Sequence, residues 1–353
     1  MVDPVALLEA MVRIPSRSGD EAALAQFLVT QMRELGFDSF VDDAGNAVGI
    51  AGHGPDVVLL GHIDTVPGLV PVRIVDGRLY GRGAVDAKGP FATFIMAVAQ
   101  LIATDALDCR YVVIGAVEEE AASSRGAQHA ATCYQPVACV IGEPSGWDQL
   151  TLGYKGRLLI DAAWRQPGAH TAGPTPAVAE RAVAYWCAVR EYCSAWNTSA
   201  GSARFDHLLP ALRHINTSSD GLTDEVTATI GIRLPPAIEP AELAVALRAL
   251  DPHAELVFRE GCRAWQSERD TPLARAFLPA IRAAGGQPRF VRKTGTSDMN
   301  VVGPRWQCPI VAYGPGDSLL DHTPDEHIVL DDYLRAIGVL RAALRRLGRA
   351  GVP

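Results

Sequence analysis

Apolar positions recur every three to four residues over 19–35 (GDEAALAQFLVTQMREL), which predicts an amphipathic helix. Short apolar runs follow at 47–51 and 57–60, and the stretch from Pro90 to Ala103 is apolar enough to read as a buried helix. Tyr111–Val117 and Ala138–Ile141, rich in β-branched residues, read as buried strands. Strands alternating with helices predict an α/β domain, a mainly parallel sheet covered by helices. From about residue 152 the texture changes. A strand-like GRLLIDAAW, a helix over 176–196, a polar loop, a strand VTATIGIRL, a helix over 239–250 and a strand AELVF together predict an α+β module. A helix at 272–284, a strand at 309–313 and an Arg-rich helix at 329–347 then restore the first texture. The expected organisation is one domain over 1–151 and 263–353, with a second over 152–262 inserted into it.

A length of 353 residues suits two domains, and 48% hydrophobic with 20% charged residues excludes a disordered or low-complexity chain. The most apolar stretch is too short for a membrane span of about 20 residues, and the N-terminus carries an acid where a signal peptide carries Lys or Arg. A cytoplasmic protein without a membrane partner is expected. The seven cysteines are scattered and never spaced CxxC, which argues against a disulfide framework or a thiolate zinc site. A formal charge of −8 argues against nucleic acid as a partner. Among the 32 basic residues only Lys88, Lys155 and Lys293 are lysines, and all three lie in or beside the motifs below, which predicts tasks that arginine does not serve.

Five segments place acids or histidines at strand ends and turns: GHIDTVP (61–67), GRGAVDAKGP (81–90), GAVEEEAASSRG (115–126), IGEPSG (141–146) and DHTPDEHI (321–328). His62 and Asp64 are two apart at the end of a strand, so the carboxylate can orient the imidazole of a metal-binding histidine. Asp86 lies in a tight Gly-rich turn. Glu118, Glu119 and Glu120 follow a buried strand directly, where adjacent like charges are costly unless cations neutralise them. Neighbouring carboxylates in extended chain point opposite ways, so one can be a ligand and the next a base. Glu143 closes another apolar strand and precedes Pro144. Singly, each has a plainer reading as a turn aspartate, a strand-end pair or a solvated acidic loop. As a set, two histidines and at least three carboxylates suit a pair of divalent ions that activate water and polarise a carbonyl, which is amide hydrolysis.

These five segments, in this order, resemble the M20 dinuclear metallohydrolases, the family of acetylornithine deacetylase, succinyl-diaminopimelate desuccinylase and carboxypeptidase G2. The resemblance covers nearly the whole chain and implies a metallopeptidase-like catalytic domain with an inserted lid or dimerisation domain. It implies that His62 and Glu143 hold one metal, Glu120 and His322 the other, and Asp86 both. Zinc is the expected metal, with cobalt as the second choice. Glu119 becomes the general base, Asp64 the residue that orients His62, and a cis peptide follows Asp86. In the inserted domain His170 resembles the histidine that stabilises the oxyanion across a dimer, and Arg233 the arginine that binds a substrate carboxylate. Gly295 and Thr296 resemble a substrate-contacting loop. The family usually reads Asp-Glu-Glu-x-Gly at the base, whereas this chain has Glu118-Glu119-Glu120-Ala121-Ala122, which leaves the register of the glutamates open by one residue. The lid asparagine that the family places after a Gly-Gly pair is not evident in SSDGLTDEV.

The texture VEEEAASS and GYKGRL, with the short length, is more similar to the branch that releases lysine or ornithine from an amino-group carrier protein by cleaving a γ-glutamyl amide in lysine or arginine biosynthesis. An acidic carrier would favour basic residues near the cleft, and Arg259, Arg263, Arg269, Arg289, Arg292 and Lys293 flank the domain junction. The rivals are an N-acetylornithine or N-acetyllysine deacetylase with the same chemistry, and a non-catalytic relative that binds a metal or partner.

Overall fold

In the computed structural model, which describes residues 2–170 and 172–349, the chain divides into two compact units. The first comprises Met1–Gly153, Ser267–Arg292 and Ser297–Pro353, and the second Tyr154–Gln266 and Lys293–Thr296.

The first unit begins with α1 (Pro4–Arg13) and α2 (Ala22–Glu34), then β1 (Asp38–Val41), β2 (Ala47–Ala51), β3 (Asp56–His62), β4 (Arg73–Val75) and β5 (Arg78–Tyr80). It continues through α3 (Lys88–Ile102), β6 (Arg110–Ala116), α4 (Arg125–Cys133), β7 (Ala138–Gly142) and β8 (Gln149–Tyr154). In α1, Pro4 opens the helix and Asp3 accepts a hydrogen bond from the Val5 amide, satisfying a donor that the first turn leaves free. The second unit contains β9 (Gly156–Pro167), α5 (Val178–Thr198), β10 (Leu209–Ser219), β11 (Thr223–Leu234), α6 (Pro240–Arg248), β12 (Glu255–Cys262) and β13 (Trp265–Gln266). The chain then adds α7 (Pro272–Ala283), β14 (Arg289–Lys293), α8 (Met299–Trp306), β15 (Ile310–Ala312), β16 (His327–Val329) and α9 (Leu330–Arg349).

The main sheet of the first unit runs β1-β2-β6-β3-β7-β15-β8, with β14 also beside β8. Its centre is parallel, β6 with β3, β3 with β7 and β7 with β15, and its flanks are antiparallel. The fold is therefore α/β as expected. The parallel strands are buried almost throughout, which explains why they read as continuous apolar runs rather than alternations. Against them packs α3, buried from Lys88 to Ala99, and truncating its Phe91 to alanine would cost about 3–5 kcal/mol.

Three glycines decide how closely α3 approaches. Gly61 pairs in register with Gly115 on one side and Gly142 on the other. A Cβ on Gly142 would lie 2.9 Å from the Gly61 Cα and 3.0 Å from the Phe94 ring, and one on Gly115 would lie 2.9 Å from Phe91. This side-chain-free row lies at the carboxyl ends of the strands, just before His62 and Glu143.

The second unit is a four-stranded antiparallel sheet, β10-β11-β9-β12, with α5 and α6 against it. Its own core includes Leu158, Ile160, Trp164, Tyr185, Val189 and Ile230. The structure corrects the sequence reading at β10, expected as part of a polar loop. As an edge strand it leaves most of its residues exposed, so no apolar alternation marks it. Among the described residues no helix is long and apolar enough to cross a membrane.

Two of the three lysines perform a task that suits an ammonium. Lys88 is buried and donates to the carbonyls of Met11 and Ile14 at 3.2 and 2.8 Å, closing the C-terminal end of α1. Lys155 is likewise buried and donates to the Phe205 carbonyl at 2.8 Å and to that of His207. Burial lowers both to about 8. A compact head with three donors fits these carbonyl clusters, and a planar guanidinium does not.

Candidate metal and catalytic centre

The parallel strands β3 and β7 end at the glycine row, and the next residues carry the chemistry. His62 closes β3 and is 1% exposed. Its Nδ1 lies 3.1 Å from the Asp64 carbonyl oxygen and 3.3 Å from Asp64 Oδ1, so this nitrogen carries a proton and Nε2 faces the other way. Nε2 lies 3.1 Å from Asp86 Oδ1. His322 approaches the other oxygen: its Nε2 is 3.0 Å from Asp86 Oδ2 and 2.7 Å from Glu120 Oε1. Asp86 thus offers each carboxylate oxygen to a different imidazole.

Two such contacts need a positive charge between nitrogen and oxygen. Protons supply it here. Burial disfavours a charged His62, yet its contacts with Asp64 and Asp86 hold its pKa well above the usual imidazole value. Hydrogen bonds to Asp86 and Glu120 raise His322 to about 10. Burial would raise Asp86, but the two imidazoles hold its carboxyl below the usual range. Divalent cations meet the same requirement. One ligand atom from each of His62, Asp86 and Glu120 lies within 4.8 Å of the others, a spacing compatible with metal bonds of about 2.0–2.2 Å. The donors are nitrogen and oxygen, as borderline-to-hard divalent ions prefer. The residues fit a metal.

Asp64 ties the glutamate loop to His62. Its Oδ1 accepts from the Glu119 amide at 3.1 Å, and its Oδ2 from the Glu120 amide at 3.0 Å and the Ser18 hydroxyl at 2.7 Å. The three glutamates face different neighbours. Glu118, at φ 59°, turns to Arg125 at 2.9 Å and Ser123 at 2.6 Å. Glu120 meets His322, and the field on Glu119 comes from His62, Glu143, Asp298 and Glu120. Burial, reinforced by the neighbouring acids against His62, pushes Glu119 well above the ordinary carboxylate value. Glu143 follows β7 directly, and burial pushes it up in the same way. The peptide between Asp86 and Ala87 is cis.

The remaining expected residues lie in the second unit. His170 is exposed in the turn after β9, where its Nδ1 accepts from the Ala172 amide at 3.1 Å, and its neighbour Thr171 lies outside the described residues. Arg233, on β11, donates to Thr296 Oγ1 at 3.0 Å, so two of the three expected substrate contacts meet. Gly295 has open space where a Cβ would stand. Of the six basic residues expected to attract an acidic carrier, Arg259 is held by Asp161, Arg263 by Glu239, and Arg269 lies 4.7 Å over the Phe290 ring.

Three acids of this centre escape a sequence reading. Asp298, two residues after Thr296, is 2% exposed, has an unpartnered Oδ1 and is pushed up to about 7 by burial. Glu326, four residues after His322, is fully buried and accepts from the Val85 and Asp86 amides. Glu21 accepts from the Gly19 and Glu118 amides. Only their positions, Asp298 just after Thr296 and Glu326 within DHTPDEHI, could have singled out the first two, and Glu21 looks like any acid ahead of a helix.

Comparison with known proteins places the chain among relatives of known family. Residues 58–346 match the family described as Peptidase family M20/M25/M40. The chain is 49% identical over 347 residues to a protein of Deinococcus radiodurans named [LysW]-lysine hydrolase, covering 97% of this chain and 96% of that one. It is 38% identical to a protein of Thermococcus kodakarensis named putative [LysW]-lysine/[LysW]-ornithine hydrolase, covering 98% and 92%. Among solved structures, an M20 family metallo-carboxypeptidase from Sulfolobus solfataricus superposes with a TM-score of 0.79 at 17% identity, covering 99% of this chain and 100% of that one. A dinuclear metal binding peptidase from Bacillus subtilis superposes at 0.71 and 13%, covering 97% and 96%.

Proposed function

The chain belongs to peptidase family M20/M25/M40, and from that premise we propose that it hydrolyses the amide joining lysine, or ornithine, to an amino-group carrier protein, using two divalent metal ions. The observation that carries the two-ion reading is the division of Asp86, one oxygen to His62 and the other to His322. The relatives named for hydrolysis of [LysW]-lysine and [LysW]-ornithine support the substrate.

In this reading His62 and Glu143 hold one ion, Glu120 and His322 the other, and Asp86 both, with zinc the expected metal and cobalt the second choice. Two ions bound there supply the acidity that makes water a nucleophile near neutral pH, and polarise the scissile carbonyl. The rest belongs to the chain. Asp64 keeps the proton on His62 Nδ1 and so directs Nε2 toward Asp86. Glu119 takes a proton from the attacking water and returns it to the leaving amine, and a carboxyl raised by burial suits both transfers. His170 stabilises the oxyanion from a partner subunit, which makes the protein a homodimer built through the second unit, acting also as a lid. Arg233 takes the α-carboxylate of the amino acid, with Gly295 and Thr296 beside it. Arg269, Arg289, Arg292 and Lys293 contribute a basic approach for an acidic carrier. The reaction is placed in the cytoplasm, in lysine or arginine biosynthesis.

The test is amine release from a carrier protein bearing a C-terminal γ-glutamyl-lysine or -ornithine, beside free N-acetyllysine and N-acetylornithine, with Glu119→Ala as control. Turnover of the carrier conjugates is expected. Turnover of the acetylated amino acids alone would replace the substrate and keep the chemistry, and a metal-loaded protein inert to all four would favour a binding relative.

A further inference from the structure

We propose that Glu326 is the positioning residue that holds Asp86 midway between the two imidazoles, an inference that rests on the two-ion reading above. The carboxylate of Glu326 is fully buried and spends both oxygens on the loop that carries Asp86. Its Oε1 accepts from the Val85 amide at 3.1 Å and the Asp86 amide at 3.3 Å, and its Oε2 accepts from Arg82 Nη1 at 2.6 Å. Its own carbonyl accepts from the Gly81 amide at 3.2 Å. The loop from 81 to 86 is thus wrapped around one side chain from a segment 240 residues away.

That segment is itself anchored. Directly after Glu326, β16 pairs with β5 in the register His327 with Tyr80, Ile328 with Leu79 and Val329 with Arg78. Four residues before Glu326, His322 reaches Asp86 Oδ2. The stretch 322–326 therefore grips Asp86 twice, by an imidazole on its carboxylate and by a carboxylate on its amide, and fixes one against the other.

The placement is costly unless it serves the loop. A further buried acid beside Asp86 adds like charge where charge is already expensive. The two amides and the guanidinium offset that cost, and an apolar residue in its place would leave those amides without an acceptor. Asp86 must present two oxygens in two directions at once, so small movements of its backbone disturb both sides together. A terminal ligand affects one ion; the clamp on the shared ligand affects both.

The test is calorimetric titration of metal-free protein with zinc(II), with circular dichroism to verify folding, on wild type, Glu326→Ala, Glu326→Gln, Arg82→Ala and His322→Ala. Wild type takes up two ions, and His322→Ala loses one of them. Glu326→Ala weakens both, each by about 10–100-fold, the usual consequence of losing an outer-shell partner. Glu326→Gln, whose amide oxygen still accepts from Val85 and Asp86, recovers most of that loss. Should Glu326→Ala fail to fold, Arg82→Ala carries the test, weakening both ions by a smaller factor. Wild-type uptake of two ions with unchanged affinities in a folded Glu326→Ala, or in Arg82→Ala where that protein carries the test, overturns the inference alone. Uptake of fewer than two ions by wild type overturns the two-ion reading and the inference with it.

Discussion

The two sides of Asp86 are built differently. On one side His62 is 1% exposed, sits at the end of a central parallel strand and has its second nitrogen fixed by Asp64. On the other, His322 is 50% exposed, sits in a loop at φ 62° and turns its Nε2 to the Asp86 and Glu120 carboxylates. The first side is rigid because the sheet that supports it is also the hydrophobic core, so moving His62 means moving β3. The second depends on a surface loop, while the clamp that Glu326 provides acts on the Asp86 they share. A shared carboxylate joins a site set by core packing to one set by hydrogen bonds, and the two ions are expected to differ in affinity accordingly.

In the proposed reading Glu119 is the base and a ligand on neither side, which makes its removal the largest effect expected on turnover. Glu119→Ala should lower kcat by about 10²–10⁴-fold while both ions stay bound, as read by steady-state kinetics beside elemental analysis. A parallel loss of metal would make it a ligand and redraw the comparison. Asp64→Asn comes next. It removes the negative charge beside His62 Nδ1, leaving the main-chain carbonyl of residue 64 in place, and should weaken the ion on that side by about 10–100-fold, leaving the His322 side less affected. Equal loss on both sides, measured by competition with a chelator, would contradict the division.

The charge arrangement gives a prediction in pH. In metal-free protein His322 is raised from 6.5 to about 10, so its stabilising contribution is complete below pH 6.5 and disappears as pH rises through 10. Its half-exposed position reduces the size of that contribution. Asp298, raised from 3.8 to about 7 by burial, binds its proton more tightly folded than unfolded, so it too withdraws stability as pH rises from about 4 to 7. Both act in the same direction. The Tm of metal-free protein should therefore fall between pH 5 and 9 more steeply than that of the metal-loaded form, and Asp298→Asn should flatten the lower part of the fall. Identical slopes with and without metal would show that the cluster is not what titrates.

The smallest effect is expected at the two buried lysines. Lys88→Arg and Lys155→Arg should each cost about 1–3 kcal/mol of stability in denaturant unfolding, since a larger head is forced into a packed cluster of carbonyls. Wild-type stability in both would show that a guanidinium serves these buried carbonyl clusters equally well.

Much of this centre could be read from the chain because its parts are local. A glycine followed directly by His62 or Glu143 at the end of an apolar run records a strand end pressed against a helix, and the family resemblance supplied roles for those residues. The clamp could not be read in that way. Glu326 acts on amides 240 residues earlier, and backbone donors leave no mark in a sequence. Asp298 is hidden for a different reason: burial turns an ordinary turn aspartate into a perturbed one, and burial is a property of the fold. The edge strand β10 was missed because alternation is imposed by a buried face, and most of its residues have none.

The central claim is that Asp86 divides one carboxylate between two ions held by unlike sides. Anomalous diffraction from crystals soaked in zinc tests it directly. The account predicts two peaks roughly 3.5–4 Å apart, one near His62 Nε2 and one near His322 Nε2, with Asp86 between them. A single peak, or two that leave Asp86 out, would contradict it.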